Sequence, residues 1–422
     1  MGSPFERPAA KAAVAAAAVL VLAHRGYRLP RSRVKLRGVF WAANWLCRVV
    51  GVGATCDVDG LTDLHEQALA AEQVAFRDGA DSDAAKRSLF RIQLHGVDAP
   101  GNRFTPLGRY VFGKDLAKRL RRRIRLAKAV AAAPTREIDA PVVVVAGLPR
   151  TGSTLLHRLL CADAAARSPR YWEFMHDDAG EAVAGEDAVE DERRAAAVEA
   201  GFDKLAALSP NGLDEFKKFH HVDARAIEEV AGLLRRYVWD TETALLAPAA
   251  VAARARWFAD DETDRSFLAR HLAAWVALQR LPKDRFWVLK SPALTAIVGE
   301  VADAFPDATL VFTSRDPARC VPSLCGLDEV ACSVKFDYAG GLDAHGAAVL
   351  SRLELYAANQ CAFVRAARGL HPAMVLLRYD DLVADPIASK RTRSTSTAGR
   401  PTAWASSAST RRTSAGASPP TP

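Results

Sequence analysis

From Gly147 to Thr154 the chain reads GLPRTGST. Glycines at 147 and 152 let a backbone turn tightly and approach an anion closely. Arg150 supplies a permanent positive charge, and Thr151, Ser153 and Thr154 supply hydroxyls. A helical pattern begins at Leu155, so free N–H groups and the helix dipole would face an anion held in this loop. The Walker pattern GxxxxGK[ST] shares both glycines, but Ser153 stands where its lysine would be. The loop therefore reads as an anion cradle and not as a triphosphate-hydrolysing loop. Further along, SRDPARCVPSLCGL places Ser323 eight residues after Arg315. A guanidinium there could fork onto a phosphate, with the hydroxyl beside it at a helix start. Lys290 closes the apolar run FWVLK, where a cation at a strand end could face the same cradle.

These residues need a frame that brings them together. The run VVVVA, 142–146, is continuous and β-branched, as expected of a strand buried on both faces. Residues 286–290, 308–315 and 373–379 form three more such runs, separated by helical stretches. That alternation predicts an α/β fold with a central parallel sheet and right-handed crossovers. Residues 38–140 read as a helical N-terminal region, and 177–280 as a mostly helical, Glu-, Ala- and Arg-rich insertion. The Arg-rich stretch RLRRRIRLAK within 107–130 reads as a solvated helix face.

The net charge of +8 is unevenly placed: Lys390, Arg391, Arg393, Arg400, Arg411 and Arg412 contribute +6, leaving about +2 for the body. A general nucleic-acid surface is thus not expected. Seven cysteines without a CxxC pair indicate neither a disulfide framework nor a zinc site, and mostly reduced thiols are expected. Residues 1–37 are basic and Ala-rich, and the apolar run 12–23 suits a targeting or anchor segment, so the protein is expected either in the cytoplasm or anchored to a Golgi-type membrane through that run. Residues 389–422 hold Ser, Thr, Ala, Arg and Pro with almost no bulky apolar side chains. They are expected to be a disordered tail or the product of a shifted reading frame.

The segment GLPRTGSTLLHRLLCADAAARSPRYWEF resembles the bacterial-type sulfotransferases, and the resemblance extends over roughly residues 56–388. It implies a P-loop-like three-layer fold in 141–388 and the donor PAPS (3′-phosphoadenosine 5′-phosphosulfate), without a metal. It places the 5′-phosphosulfate on Arg150, Thr151, Gly152, Ser153 and Thr154, and the 3′-phosphate on Arg315 and Ser323. Tyr379, in RYDDL, is placed beside the adenine, and Lys290 at the bridging or sulfuryl oxygens, with Arg150 sharing that work. Arg319 is a surface charge or a further donor contact. The acceptor would be a hydroxyl or amine on a small molecule, lipid or glycan.

In one respect the chain departs from this family. Many members read LK-x-P-x-His, but Leu294 occupies the His position here, and a leucine takes no proton. Glu173 in YWEF, and His221, Asp223 and Glu229 in HHVDARAIEEV, are the candidates for the base, with Glu173 and His221 preferred. Two other readings remain: a small-molecule kinase or NTPase, with Asp316 holding Mg²⁺, and an inactive nucleotide-binding relative.

Overall fold

The computed structural model of the protein describes residues 33–133, 137–176, 187–208, 216–218, 220–237, 245–333, 335, 342–366 and 374–386. The apolar run 12–23 and the tail 389–422 lie outside the described residues.

Four helices come first: α1 (Arg33–Val50), α2 (Val58–Phe76), α3 (Ala80–Asp98) and α4 (Pro106–Ala132). Their starts follow local chemistry. The Asp57 carboxylate accepts from Gly60 N at the start of α2, and the Thr105 hydroxyl accepts from Gly108 N before Pro106 at the start of α4. Five parallel strands follow: β1 (Val142–Gly147), β2 (Ala166–Arg167), β3 (Phe286–Lys290), β4 (Thr309–Ser314) and β5 (Met374–Arg378). Their order in the sheet is β2-β3-β1-β4-β5. β1 lies between β3 and β4, with Val145 opposite Lys290 of β3 and Gly147 opposite Thr313 of β4.

All six residues of β1 are buried, and alternate residues serve different cores. Val143 and Val145 pack with Leu156, Leu160, Leu377 and Leu382. Val142, Val144 and Ala146 enter a larger core that also contains Leu61, Leu89, Phe112 and Leu116 of the N-terminal helices. The unbroken β-branched run reflects this two-sided burial. The N-terminal helices share the sheet's core, so they complete one face of the domain.

The helices after β1 are α5 (Ser153–Cys161), α6 (Tyr171–Met175), α7 (Ala188–Leu208), α8 (Ala231–Leu234), α9 (Pro248–Ala259), α10 (Ser266–Leu278), α11 (Val298–Ala304), α12 (Pro317–Cys332), α13 (Leu342–Ala366) and α14 (Tyr379–Ala384). Among the described residues, no helix is long and apolar enough to cross a membrane. All seven cysteines are free thiols.

One expectation fails in the N-terminal region. The Arg-rich stretch of α4 is not a solvated face: Arg119, Arg122 and Arg123 are buried. Arg123 forks onto Glu72 at 2.7 and 2.8 Å, and Arg122 donates to the carbonyls of Met175 and His176, where α6 ends. A second helix and a buried acid, both distant in sequence, turn these charges inward.

Candidate functional site

The sheet puts the separate motifs on one edge. Lys290 ends β3, the loop 148–152 leaves β1, Arg315 follows β4, and Tyr379 follows β5. These strands lie side by side in the order β3-β1-β4-β5, all parallel, so their carboxyl ends open on the same crevice.

Backbone geometry explains the glycines of the loop. Gly147 has φ 111°, and a Cβ there would lie 2.4 Å from Thr313 O. Gly152 has φ 86° just before α5, and a Cβ there would lie 2.9 Å from the Tyr379 ring. Arg150, between them, also has positive φ, 68°, a conformation that an L-residue adopts only when its surroundings hold it. Several contacts hold it. Arg315 donates to Arg150 O at 3.2 Å, Arg150 Nε donates to Ser323 Oγ at 2.9 Å, and Thr295 Oγ1 both accepts from Gly147 N and donates to Gly147 O.

Arg150, Arg315 and Ser323 therefore meet at one place. The Arg315 guanidinium also stacks on Tyr379, 3.9 Å from the ring centre. Burial, and then the neighbouring Arg315 charge, hold the Arg150 guanidinium below the usual arginine range. Two half-buried guanidiniums side by side form a site whose energy falls when an anion enters.

The hydroxyls of the loop divide their work. Thr151 is fully buried, and its hydroxyl is shared with Leu148 O and Thr313 Oγ1 (2.6 Å), so it shapes the loop from inside. Ser153 and Thr154 open α5. Thr154 is exposed and accepts from Lys290 Nζ at 3.1 Å.

Lys290 is almost wholly buried, and its ammonium forms an ion pair with Glu229. The Glu229 side chain keeps 22% of its surface, enough to meet a substrate, and its other oxygen lies 3.5 Å from Ser291 Oγ. The backbone locks this pair, since Val230 N donates to Lys290 O at 3.0 Å. Beneath it, His157 is buried on α5 with Nε2 2.6 Å from Ser168 Oγ. Burial, then the Lys290 charge, push the imidazole down to about 3, which keeps it neutral.

The preferred bases lie elsewhere. Glu173 is buried, pairs with Arg167 at 2.6 Å and accepts from Arg170 N at 2.8 Å, closing the first turn of α6. His221 is exposed, and its neighbour His220 faces Glu228 at 3.1 Å. The described contacts of Glu173 and His221 include neither Lys290 nor the loop. Asp223 accepts from Arg225 N in a local turn. Leu294 is fully buried in the main core. Arg319 is exposed. The carboxylate that meets Lys290 is Glu229. The sequence offered it as a candidate, but its partnership with Lys290 depends on a loop that reaches β3 from far along the chain. Thr295 and Thr313, which hold the cradle's backbone, carried no sequence signal beyond a polar residue in an apolar run.

Asp316, the carboxylate offered for Mg²⁺, is exposed and has a local role. It accepts from Ala318 N at 2.9 Å and caps α12.

The fold is shared with solved structures. Sulfotransferase STF1 from Mycobacterium tuberculosis H37Rv superposes with a TM-score of 0.58 at 22% identity, over 82% of this chain and 92% of that one. Sulfotransferase STF9 from Mycobacterium avium does so with a TM-score of 0.56 at 22% identity, over 75% and 79%. No curated protein matches the chain. The family model described as the sulfotransferase family matches residues 141–392, more than half of the chain and the whole sheet that carries the crevice. The chain belongs to the sulfotransferase family.

Proposed function

We propose that this sulfotransferase takes its sulfuryl group from PAPS and transfers it to a hydroxyl or amine. The observation that carries this reading is the meeting of Arg150, Arg315 and Ser323 at one end of a crevice whose other end holds Lys290 and Thr154. A donor with two separated anionic groups matches that spread of cations. The 3′-phosphate lies on Arg315 and Ser323, with Tyr379 toward the base, and the 5′-phosphosulfate lies over the loop 148–154.

Glu229 takes the place of the missing histidine. It accepts the acceptor's proton while the acceptor atom attacks sulfur. The bond from sulfur to the bridging oxygen breaks, and its electron pair leaves with the 5′-phosphate of PAP. Lys290 turns from Glu229 to these oxygens and, with Arg150, takes up the developing charge. The turn frees the carboxylate for the proton, so donor binding and base activation are linked through one ammonium. The kinase reading lacks its loop lysine, and its candidate metal carboxylate caps a helix.

Calorimetry with PAP tests the donor site. Binding to the wild type that Arg315→Ala weakens by about tenfold or more supports it. Binding of ATP without PAP would overturn it in favour of a kinase. The base is tested separately, by the pH profile of sulfuryl transfer in Glu229→Gln with PAP affinity retained.

A further inference from the structure

α1 has apolar residues on two opposite faces. Phe40, Ala43 and Cys47 are buried on one face together with Asn44, and Ala43 and Cys47 cluster with Val52 and Leu107. The other face carries Trp41, Trp45 and Val49, which are 46%, 66% and 62% exposed. The spacing i, i+4, i+8 sets them in one stripe along the helix. A helix that is apolar all round is normally covered all round.

The charge of the sequence that carries this stripe says what covers it. From Arg7 to Cys56 the chain holds nine Arg or Lys residues and no Asp or Glu. Arg48 is exposed beside Val49. An apolar protein groove would accommodate the tryptophans but gives no use for so many cations. A polyanion such as nucleic acid would attract the cations but would leave a Trp–Trp–Val stripe in water. A bilayer with anionic headgroups satisfies both, because indoles settle at headgroup depth and basic side chains meet lipid phosphates.

We propose that the Trp41–Trp45–Val49 face of α1 docks the protein on an anionic phospholipid bilayer, with α1 lying in the plane of the interface. α1 packs on α4, and α4 on α2 and the main core, so docking through α1 would orient the whole domain on the membrane.

The test mixes the full-length protein with vesicles of phosphatidylcholine containing about one-quarter phosphatidylglycerol, or of phosphatidylcholine alone, and sediments them. Wild type is expected on the anionic vesicles and not on the neutral ones. W41S/W45S, checked for folding by its thermal melt, is expected to partition about a hundredfold less, about tenfold for each indole. Val189→Ser, on α7 and 82% exposed, is expected to bind as the wild type does. Binding that survives W41S/W45S overturns the proposal, most directly if L20D/L22D removes it, since the upstream apolar run would then hold the membrane. Wild type that stays off the vesicles also overturns it. If that protein sediments as a dimer that W41S/W45S makes monomeric, the face belongs to a second copy of the chain.

Discussion

Arg123 on α4 and Arg315 after β4 are both held within the protein, but among different neighbours. Arg123 lies in a closed ionic cluster. It forks onto Glu72, which also meets Lys86 at 3.0 Å and the Tyr237 hydroxyl at 3.0 Å, while Lys86 reaches Asp78. Burial alone would raise the Glu72 carboxyl, but the Arg123 charge and hydrogen bonds, with His271 and Lys86, bring it down to about 2. Glu72, Asp78 and His271 are close enough to suggest a metal site, yet Lys86 and Arg123 already sit among them as the cations. Arg315 has a carbonyl and an aromatic ring as partners and faces a second guanidinium. Matched charges hold a fold together, whereas facing cations at the end of a sheet create a place for an anion.

The largest effect should come from breaking the matched cluster. Arg123→Met leaves Glu72 buried without its main counter-charge and should cost about 3–5 kcal/mol in denaturant unfolding. Adding Glu72→Met should recover much of that loss, and failure to do so would mean that the cluster is not a balanced unit. At the crevice, Glu229→Gln should lower kcat about 10²–10³-fold and should also lower the urea midpoint, because it leaves the buried Lys290 ammonium without its carboxylate, though by less than Arg123→Met does because Glu229 is partly exposed. An unchanged kcat would remove Glu229 as the base.

The pH dependence sharpens the contrast. Glu72 titrates near 2 in the folded chain and near the ordinary carboxylate value of about 4.3 in the unfolded one, so its contribution of about 3 kcal/mol is present above about pH 4.3 and is lost as pH falls through about 2. Acid titration of stability should show this slope in the wild type and lose it in Glu72→Gln. Arg315→Ala should weaken PAP by about tenfold to a hundredfold yet change stability by less than about 1 kcal/mol, because it removes a repulsion along with its contacts. The smallest effect is expected at Thr151→Val, about 1 kcal/mol of stability from the lost Thr313 and Leu148 bonds, with little change in PAP affinity. A large affinity loss there would show that the hydroxyl turns outward to the donor.

Some of this was legible in the chain because local chemistry sets it. The run FWVLK is β3 residue for residue, and the other three strands differ from their sequence spans only at the ends. Apolar periodicity registers burial on both faces, and glycine spacing registers positive φ, without knowledge of the partners. β2 could not be found this way: two residues carry no period, and they extend only because β3 lies beside them. The cradle's anchors Arg150 and Arg315 were also legible, since each follows a strand; Ser323 was legible by its spacing from Arg315, but it lies in the second turn of α12 and not at the helix start.

Which charge meets which was decided by the fold. The sequence presents YWEF and HHVDARAIEEV as equivalent stores of acids and bases. Local contacts commit Glu173 to closing α6, whereas tertiary packing brings Glu229 to Lys290 and buries the arginines of α4 that composition alone assigns to solvent. An ionisable side chain reports its type locally. Its role depends on the dielectric and counter-charges within a few ångströms, and those are supplied by segments far away along the chain.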